Sequence, residues 1–319
     1  MNPRDMGHSQ ISVRGLLSLC VVLSLLSLTI TLCRFLSSSH PPNSLEKTYR
    51  SHVSKPRMED VIDMNSSSLR IWGDDNQSSP CYTYETRFAK GLRPIWLLSY
   101  PGSGNTWMRY LLEGATGIFT GSVYDDKILF EGGYLGELED VKSGRTLTQK
   151  THDTVSDFSI PTIILIRNPK SALKAYWNFK KGKKTTNPHL ALTSLGYFQG
   201  PAFRDFVTDN IRLWETLLVN HLLLTQAPTH IVYYEHLKHN TLFEISRLLE
   251  FLGLPVSEGR MRCLQSHITG SFKRKGREMK DPFSESENRS FAVAVSSVRR
   301  LLRGLGYPEP PLYDDVVEL

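Results

Sequence analysis

Lys150 and His152, two positions apart, stand where the short run "TLTQK" (146–150) passes into "THD". On an extended strand alternate side chains point the same way, so the ammonium and the imidazole share one face. A histidine titrating near neutrality suits general-base work, and a neighbouring cation suits charge developing on a leaving group. The plainer alternative is a structural histidine beside a lysine. A second stretch, "LLSYPGSGNTWMRYLLE" (97–113), begins as a strand, bends through Pro101, Gly102 and Gly104, and continues as an amphipathic helix. The glycines let the backbone curl, so amides from Ser103 to Thr106 can face an anion, with Asn105 and Thr106 adding side-chain donors. The loop fits neither G-x-x-x-x-G-K-[ST], having no Gly-Lys pair, nor G-x-G-x-x-G, because Trp107 takes the third glycine's place. By itself it is either a phosphate cradle or a turn that required small residues. Arg167 ends "TIILIR" (162–167), where a guanidinium can clamp a phosphate through two hydrogen bonds. "SFKRKGREMKDPF" (271–283) carries Arg274, Lys275 and Gly276; alone, it reads as a solvated charge run.

These groups need a scaffold. "IWLLSY" (95–100), "TLTQK", "TIILIR" and "HIVYY" (230–234) are rich in β-branched and aromatic residues. Helical patterns lie near 105–116, 168–180, 201–225, 240–252 and 285–303. Strands alternating with helices predict an α/β domain of three layers, α/β/α, around a central parallel sheet. The chain has 319 residues, enough for one such domain over 92–308 plus appendages. Its net charge of +6 favours acidic ligands. The basic residues form no aromatic-interleaved surface motif, which argues against nucleic acid as a partner. No two-by-two grouping of Cys and His suggests a metal site.

Between Arg14 and Arg34 lie 19 uncharged residues, about 28 Å long as a helix and close to a bilayer's hydrocarbon thickness. The expectation is a cytoplasmic tail (1–14), a signal-anchor transmembrane helix (15–36) and a flexible luminal stem (37–91) rich in Ser, Asn and Pro. A cleaved signal peptide is the alternative, although the apolar run is long and no A-x-A-like site follows it. Asn65, Asn76 and Asn288 begin N-glycosylation tripeptides. Outside the span only Cys81 and Cys263 remain, either as one luminal disulfide or as two thiols. Residues 309–319 read as a C-terminal tail.

In order and spacing these segments resemble sulfotransferases that use 3′-phosphoadenosine 5′-phosphosulfate (PAPS), over roughly residues 94–308. The pattern Y-P-[KR]-S-G-[TS]-[TN]-W is similar to Tyr100 through Trp107, K-T-H to Lys150-Thr151-His152, and R-N-P to Arg167-Asn168-Pro169. Y-E-D-L corresponds to Tyr234-Glu235-His236-Leu237, and R-K-G to Arg274-Lys275-Gly276. The form P-G-S-G-N-T-W most resembles the WSCD family, type II membrane sulfotransferases acting on sialylated glycans, whose usual WSC domains this chain lacks. The resemblance implies sulfuryl transfer from PAPS, without a metal, to a hydroxyl of a glycan or glycoprotein, sialylated ones included, in the Golgi lumen. It implies His152 as general base. Gly102, Ser103, Gly104, Asn105, Thr106 and Trp107 would surround the phosphosulfate, and Trp107 and Tyr234 would lie near the adenine. Arg167, Arg274, Lys275 and Gly276 would hold the 3′-phosphate. Two positions depart from the pattern. Gly102 replaces its loop lysine, a task Lys150 is expected to assume, and Ala175 replaces its phosphate-binding serine. Those departures also support another reading, a catalytically silent glycan- or nucleotide-binding protein on the same fold. A kinase reading lacks both Gly-Lys-[Ser/Thr] and a strand-end carboxylate.

Overall fold

The computed structural model describes residues 56–155, 157–270 and 280–316. The expected tail and anchor, the first part of the stem, and Arg274, Lys275 and Gly276 lie outside them. Among the described residues no helix is long and apolar enough to cross a membrane.

The elements run α1 (Met58–Val61), β1 (Ser68–Arg70), β2 (Glu85–Arg87), β3 (Trp96–Ser99), α2 (Asn105–Thr116), β4 (Gly121–Ser122), α3 (Lys127–Glu131), β5 (Gln149–Thr151) and β6 (Thr162–Ile166). They continue with α4 (Pro169–Lys181), α5 (Pro201–Leu224), β7 (Thr229–Tyr233), α6 (Tyr234–His239), α7 (Thr241–Phe251), α8 (Glu258–Ser266) and α9 (Glu285–Gly304). Five strands form a parallel sheet in the order β4-β5-β3-β6-β7. Strands β3, β6 and β7 carry apolar side chains on both faces, as a doubly covered sheet requires. Leu98, Ile164 and Ile166 pack under α4, α5 and α9, while Leu97, Ile163 and Leu165 pack under α2, α7 and α8. Leu97 and Leu98 are wholly buried on opposite faces, each worth roughly 1.5–3 kcal/mol of transfer free energy. The three-layer α/β/α architecture expected from the sequence is present.

Helix starts follow local chemistry. Asn168 caps α4 by accepting from the amides of Lys170 and Ser171, with Pro169 in the first turn. Ser284 and Glu287 form a capping box at α9. α2 differs. It begins at Gly104, in the left-handed region at φ +96°, with no side-chain cap.

Two boundaries need correction. Residues 58–90, expected to be stem, fold onto the domain. β1 and β2 form an antiparallel ribbon, Ile62 bridges Ala89, and Arg87 bridges Ile118. Val61, Trp72, Cys81 and Ala89 join the core on the α2 side, and Cys81 is disulfide-bonded to Cys263 in α8. These apolar anchors are too far apart in the chain to form a periodic pattern, so the segment's polar composition dominated its reading. The second correction concerns 309–316. Tyr313 and Val316 are buried, and Asp315 accepts from Asn168 Nδ2 (2.6 Å) and, through its carbonyl, from Lys170 Nζ (2.7 Å).

Candidate active site

At the carboxyl ends of β3, β5 and β6 the sheet opens into a cavity of about 1290 Å³. β3 leads into α2 on one face and its neighbour β6 into α4 on the other, so the connections diverge there and leave a crevice.

The loop after β3 is anchored from beneath. Asn105 Nδ2 donates to Leu97 O (3.1 Å) and Ser99 Oγ (3.0 Å), and Tyr100 OH donates to Asn210 Oδ1 (2.6 Å). The Asn105 amide, expected to bind an anion, therefore fastens the loop to its own strand. Ser103 is also corrected. It is buried with an unpartnered Oγ, lies outside the cavity wall, and spends its amide on Tyr100 O. The uncapped start of α2 remains for an anion, with Gly104, Asn105, Thr106 and Trp107 in the wall.

Gly102 has φ +82°, and a Cβ there would collide with Ala172 O, meet Tyr176 N at 2.9 Å and approach Ala175 Cβ at 3.2 Å. The loop lies directly on α4. Gly102 and Ala175, two separate departures in the sequence, are the two small sides of one contact. Arg167 ties this contact in place, donating from Nη1 to Gly102 O (2.8 Å) with its guanidinium 4.2 Å from the Tyr234 ring centroid. Its Nε is buried and unpartnered. Tyr234 covers Gly104, whose Cβ would fall 2.7 Å from the ring, and meets Trp107 edge-on at 5.7 Å. Trp107 Nε1 in turn donates to Ile268 O (2.7 Å).

Across the cavity, His152 Nδ1 lies 2.8 Å from Ser99 O. A carbonyl can only accept, so Nδ1 carries the proton and Nε2 the lone pair. Desolvation, helped by the Lys150 ammonium, pushes the imidazole down to about 3, so it is neutral at physiological pH. Burial likewise lowers Lys150 to about 8, against the pull of Glu137, whose Oε1 is 3.9 Å from Nζ. Glu137 also pairs with Arg109, both wholly buried. Arg109 donates from Nε and Nη2 to Thr120, and Thr120 to Glu113, whose carboxyl burial raises to about 7. A buried polar network thus stands behind Lys150.

The structure brings together Lys150, His152, Gly102, Gly104, Asn105, Thr106, Trp107, Arg167 and Tyr234 around this cavity. It places Lys183 and His189 of the basic stretch 180–189 in the wall, and adds wall residues that sequence reasoning did not find, among them Tyr124, Asp126 and Lys174. Of these last three, Asp126 had a signal as a capping residue directly before α3. Asn65 and Asn76 are exposed, whereas Asn288 is half-buried in the first turn of α9. Among the described residues, Asp75, Cys81 and His267 approach a metal-ligand grouping, but the Cys81 sulfur is committed to the disulfide.

A family model described as a sulfotransferase domain matches residues 92–296. WSCD family member CG9164 of Drosophila melanogaster is 35% identical over 222 residues, 67% of this chain and 67% of its own. WSCD family member GA21586 of Drosophila pseudoobscura pseudoobscura is 35% identical over 197 residues, 60% of each. The chain therefore spans between 60% and 67% of the length of these two relatives. Among solved structures, mouse sulfotransferase SULT7A1 complexed with PAP gives a TM-score of 0.44 at 16% identity, covering 68% of this chain and 90% of that one. Retinol dehydratase in complex with androsterone and inactive cofactor PAP gives 0.40 at 15%, covering 73% and 90%.

Proposed function

This chain belongs to the sulfotransferase domain family and resembles its WSCD members, and from that premise we propose that it transfers a sulfuryl group from PAPS to a hydroxyl of a glycan. The observation that carries the reading is His152, neutral, with Nδ1 committed to Ser99 O and its Nε2 lone pair left on a residue of the cavity wall.

The residues present suit the donor. The uncapped α2 start offers amides to a phosphate, Arg167 keeps a buried Nε without a partner, and Trp107 and Tyr234 supply aromatic surface for a base. When bound, PAPS supplies the sulfuryl group and a phosphate leaving group. His152 Nε2 accepts the proton of the acceptor hydroxyl, a contribution typically worth about 10²–10⁴-fold. Lys150, aimed by Glu137, and the amides at the head of α2 place positive charge where negative charge develops on the leaving oxygen. Lys150 thus takes the task of the lysine for which Gly102 leaves no room.

Lys174 and Lys183 in the wall, with Tyr176 and Phe179, favour an anionic sugar such as sialic acid on a glycoprotein or glycolipid. The Cys81–Cys263 disulfide suits an oxidising lumen, in keeping with a Golgi enzyme anchored through residues 15–36.

The test is transfer of labelled sulfate from PAPS to sialylated and desialylated glycoproteins, with His152→Ala alongside. Label on the sialylated acceptor, lost in the variant, is the expected result. Nucleotide binding without transfer to any glycan would favour a silent binding protein instead.

A further inference from the structure

The segment joining β4 to α3 carries Tyr124, to which no function has so far been attached. Its ring is stacked on the His152 imidazole, with centroids 5.5 Å apart and planes at 24°. Its hydroxyl accepts from His152 N (2.7 Å) and donates to Asp153 Oδ2 (2.6 Å). Lys150 Nζ lies 5.3 Å from the same ring centroid, within cation–π range. One side chain therefore touches the base, its backbone and the neighbouring cation.

The backbone bearing it is unusual. Asp125 has φ +48°, and among the described residues no other non-glycine residue has positive φ. Left-handed backbone at a residue with a Cβ costs energy, and such strain persists where the surroundings over-determine it. Here both ends of the turn are pinned. Upstream, Val123 N donates to Lys150 O (3.2 Å), extending the β4–β5 ladder, and Tyr124 N donates to Ser122 Oγ (3.2 Å). Downstream, Asp126 Oδ1 caps α3 and Oδ2 lies 2.9 Å from His189 Nε2. The strained turn delivers the tyrosine over the imidazole. Core packing does not explain this placement, because Tyr124 is 38% exposed.

We infer that Tyr124 is a positioning residue for the proposed reaction: its ring fixes the His152 imidazole from one face while Ser99 O fixes it at Nδ1, so that Nε2 keeps one direction and stays shielded from water. The inference rests on the reading of His152 as the base. The charged and titratable groups around the imidazole are Lys150 and Asp153 on its own strand end, Tyr124 itself, and Arg109 from α2. Lys150 and Arg109 oppose protonation and Asp153 favours it, and Tyr124 itself touches Asp153 through its hydroxyl and Lys150 through its ring. Tyr124→Phe removes the hydroxyl contact to Asp153 and keeps the ring, so a shift seen in Tyr124→Ala but not in Tyr124→Phe reports the lost ring.

The experiment uses the full chain with its disulfide intact and compares Tyr124→Phe with Tyr124→Ala. Three quantities are read: kcat and KM for transfer, PAP affinity by calorimetry, and the His152 titration by NMR with labelled histidine, assigned through His152→Gln. Tyr124→Ala is expected to lower kcat by roughly 10–100-fold. Its PAP affinity should stay within about twofold, and His152 should titrate closer to the ordinary value of about 6.5. Tyr124→Phe keeps the plate and is expected to lose less than about fivefold, with little movement of the titration. A folded Tyr124→Ala protein with unchanged kcat and unchanged His152 titration overturns the inference. So does a parallel fall of kcat and PAP affinity with the titration unmoved, which marks a merely structural residue. If the wild-type protein transfers sulfuryl to no acceptor, the functional reading fails, yet the titration still decides whether Tyr124 shields His152.

Discussion

The two walls of the cavity are built in different ways. On the wall that the proposed function gives to the donor, nearly every group is fixed by a backbone contact. His152 is held by Ser99 O, Arg167 by Gly102 O, Asn105 by Leu97 O, and Trp107 by Ile268 O. The wall that this function gives to the acceptor runs from α4 into the region after it, where Gly182–Lys184 and Leu195–Phe198 form short 3₁₀ turns and Lys183, Leu192 and Leu195 are exposed. Charge that develops during a reaction is stabilised best by groups that need not reorganise, and these backbone contacts hold the donor wall in that way. Recognition of a glycan acceptor, as proposed, tolerates adaptable side chains on loops. Rate should therefore reside in one wall and acceptor preference in the other.

The strongest way to break this division is Lys150→Ala. If the buried ammonium has assumed the task of the absent loop lysine, kcat should fall by about 10²–10³-fold with PAP affinity little changed. A loss below tenfold would place the leaving-group cation elsewhere. The variant also leaves Glu137 paired with Arg109 alone, so its thermal stability should be measured in parallel.

Restoring the family's lysine should harm the protein, not improve it. In Gly102→Lys the side chain enters left-handed backbone, at a cost of about 1–2 kcal/mol, and its Cβ meets the backbone of α4. Overpacking adds about 1–3 kcal/mol, and the loop must lift from Ala175. PAP affinity should drop by roughly 10–100-fold, as calorimetry would show. A Gly102→Lys protein with undiminished affinity would mean that the loop and α4 separate easily, and that the donor wall is less rigid than its contacts indicate.

The pH profile tests the same wall without mutation. Burial lowers Lys150 to about 8, so its cationic form is lost as pH rises through that value, and turnover should fall about tenfold per pH unit above it. His152, lowered to about 3, remains an available base down to acid pH. Its depressed value also ties stability to pH. That stability is complete above the unfolded-state value near 6.5 and is lost as pH falls toward about 3, because the unfolded chain takes up the proton first. Activity that declined between pH 7 and 6 would contradict a shielded imidazole.

How far the sequence carried the reading differs between the walls for the same reason. The donor wall was legible because its parts are local: a strand end, a glycine turn and a helix start lie within residues 97–113, and Lys150 and His152 share a strand face. The sequence also marked Gly102 and Ala175 as departures, but their meaning is a loop–helix contact between residues 73 positions apart, which spacing cannot reveal. Ser103 and Asn105 were assigned to the ligand because their types fit, whereas their side chains turn inward. Tyr124 had no signal, since it acquires its neighbours from distant strands and loops. The 58–90 segment was missed for a related reason: Trp72 reaches its partner Tyr110 only through tertiary folding, and the Cys81–Cys263 pair, which the sequence left open between disulfide and thiols, did not by itself mark the segment as folded.

The smallest effect is expected on the acceptor wall, where it is also most diagnostic. Lys183 is exposed in the wall beside Phe179 and Leu192, and an exposed charge contributes little binding energy on its own. Lys183→Ala should raise KM for an anionic acceptor by only a few-fold and leave kcat and PAP affinity unchanged. The difference should vanish at high salt, because a solvated cation is screened. It should vanish as well with a neutral acceptor. If Lys183→Ala instead lowers kcat, the acceptor wall participates in positioning the reactive hydroxyl, and the separation of rate from recognition drawn from the two walls does not hold.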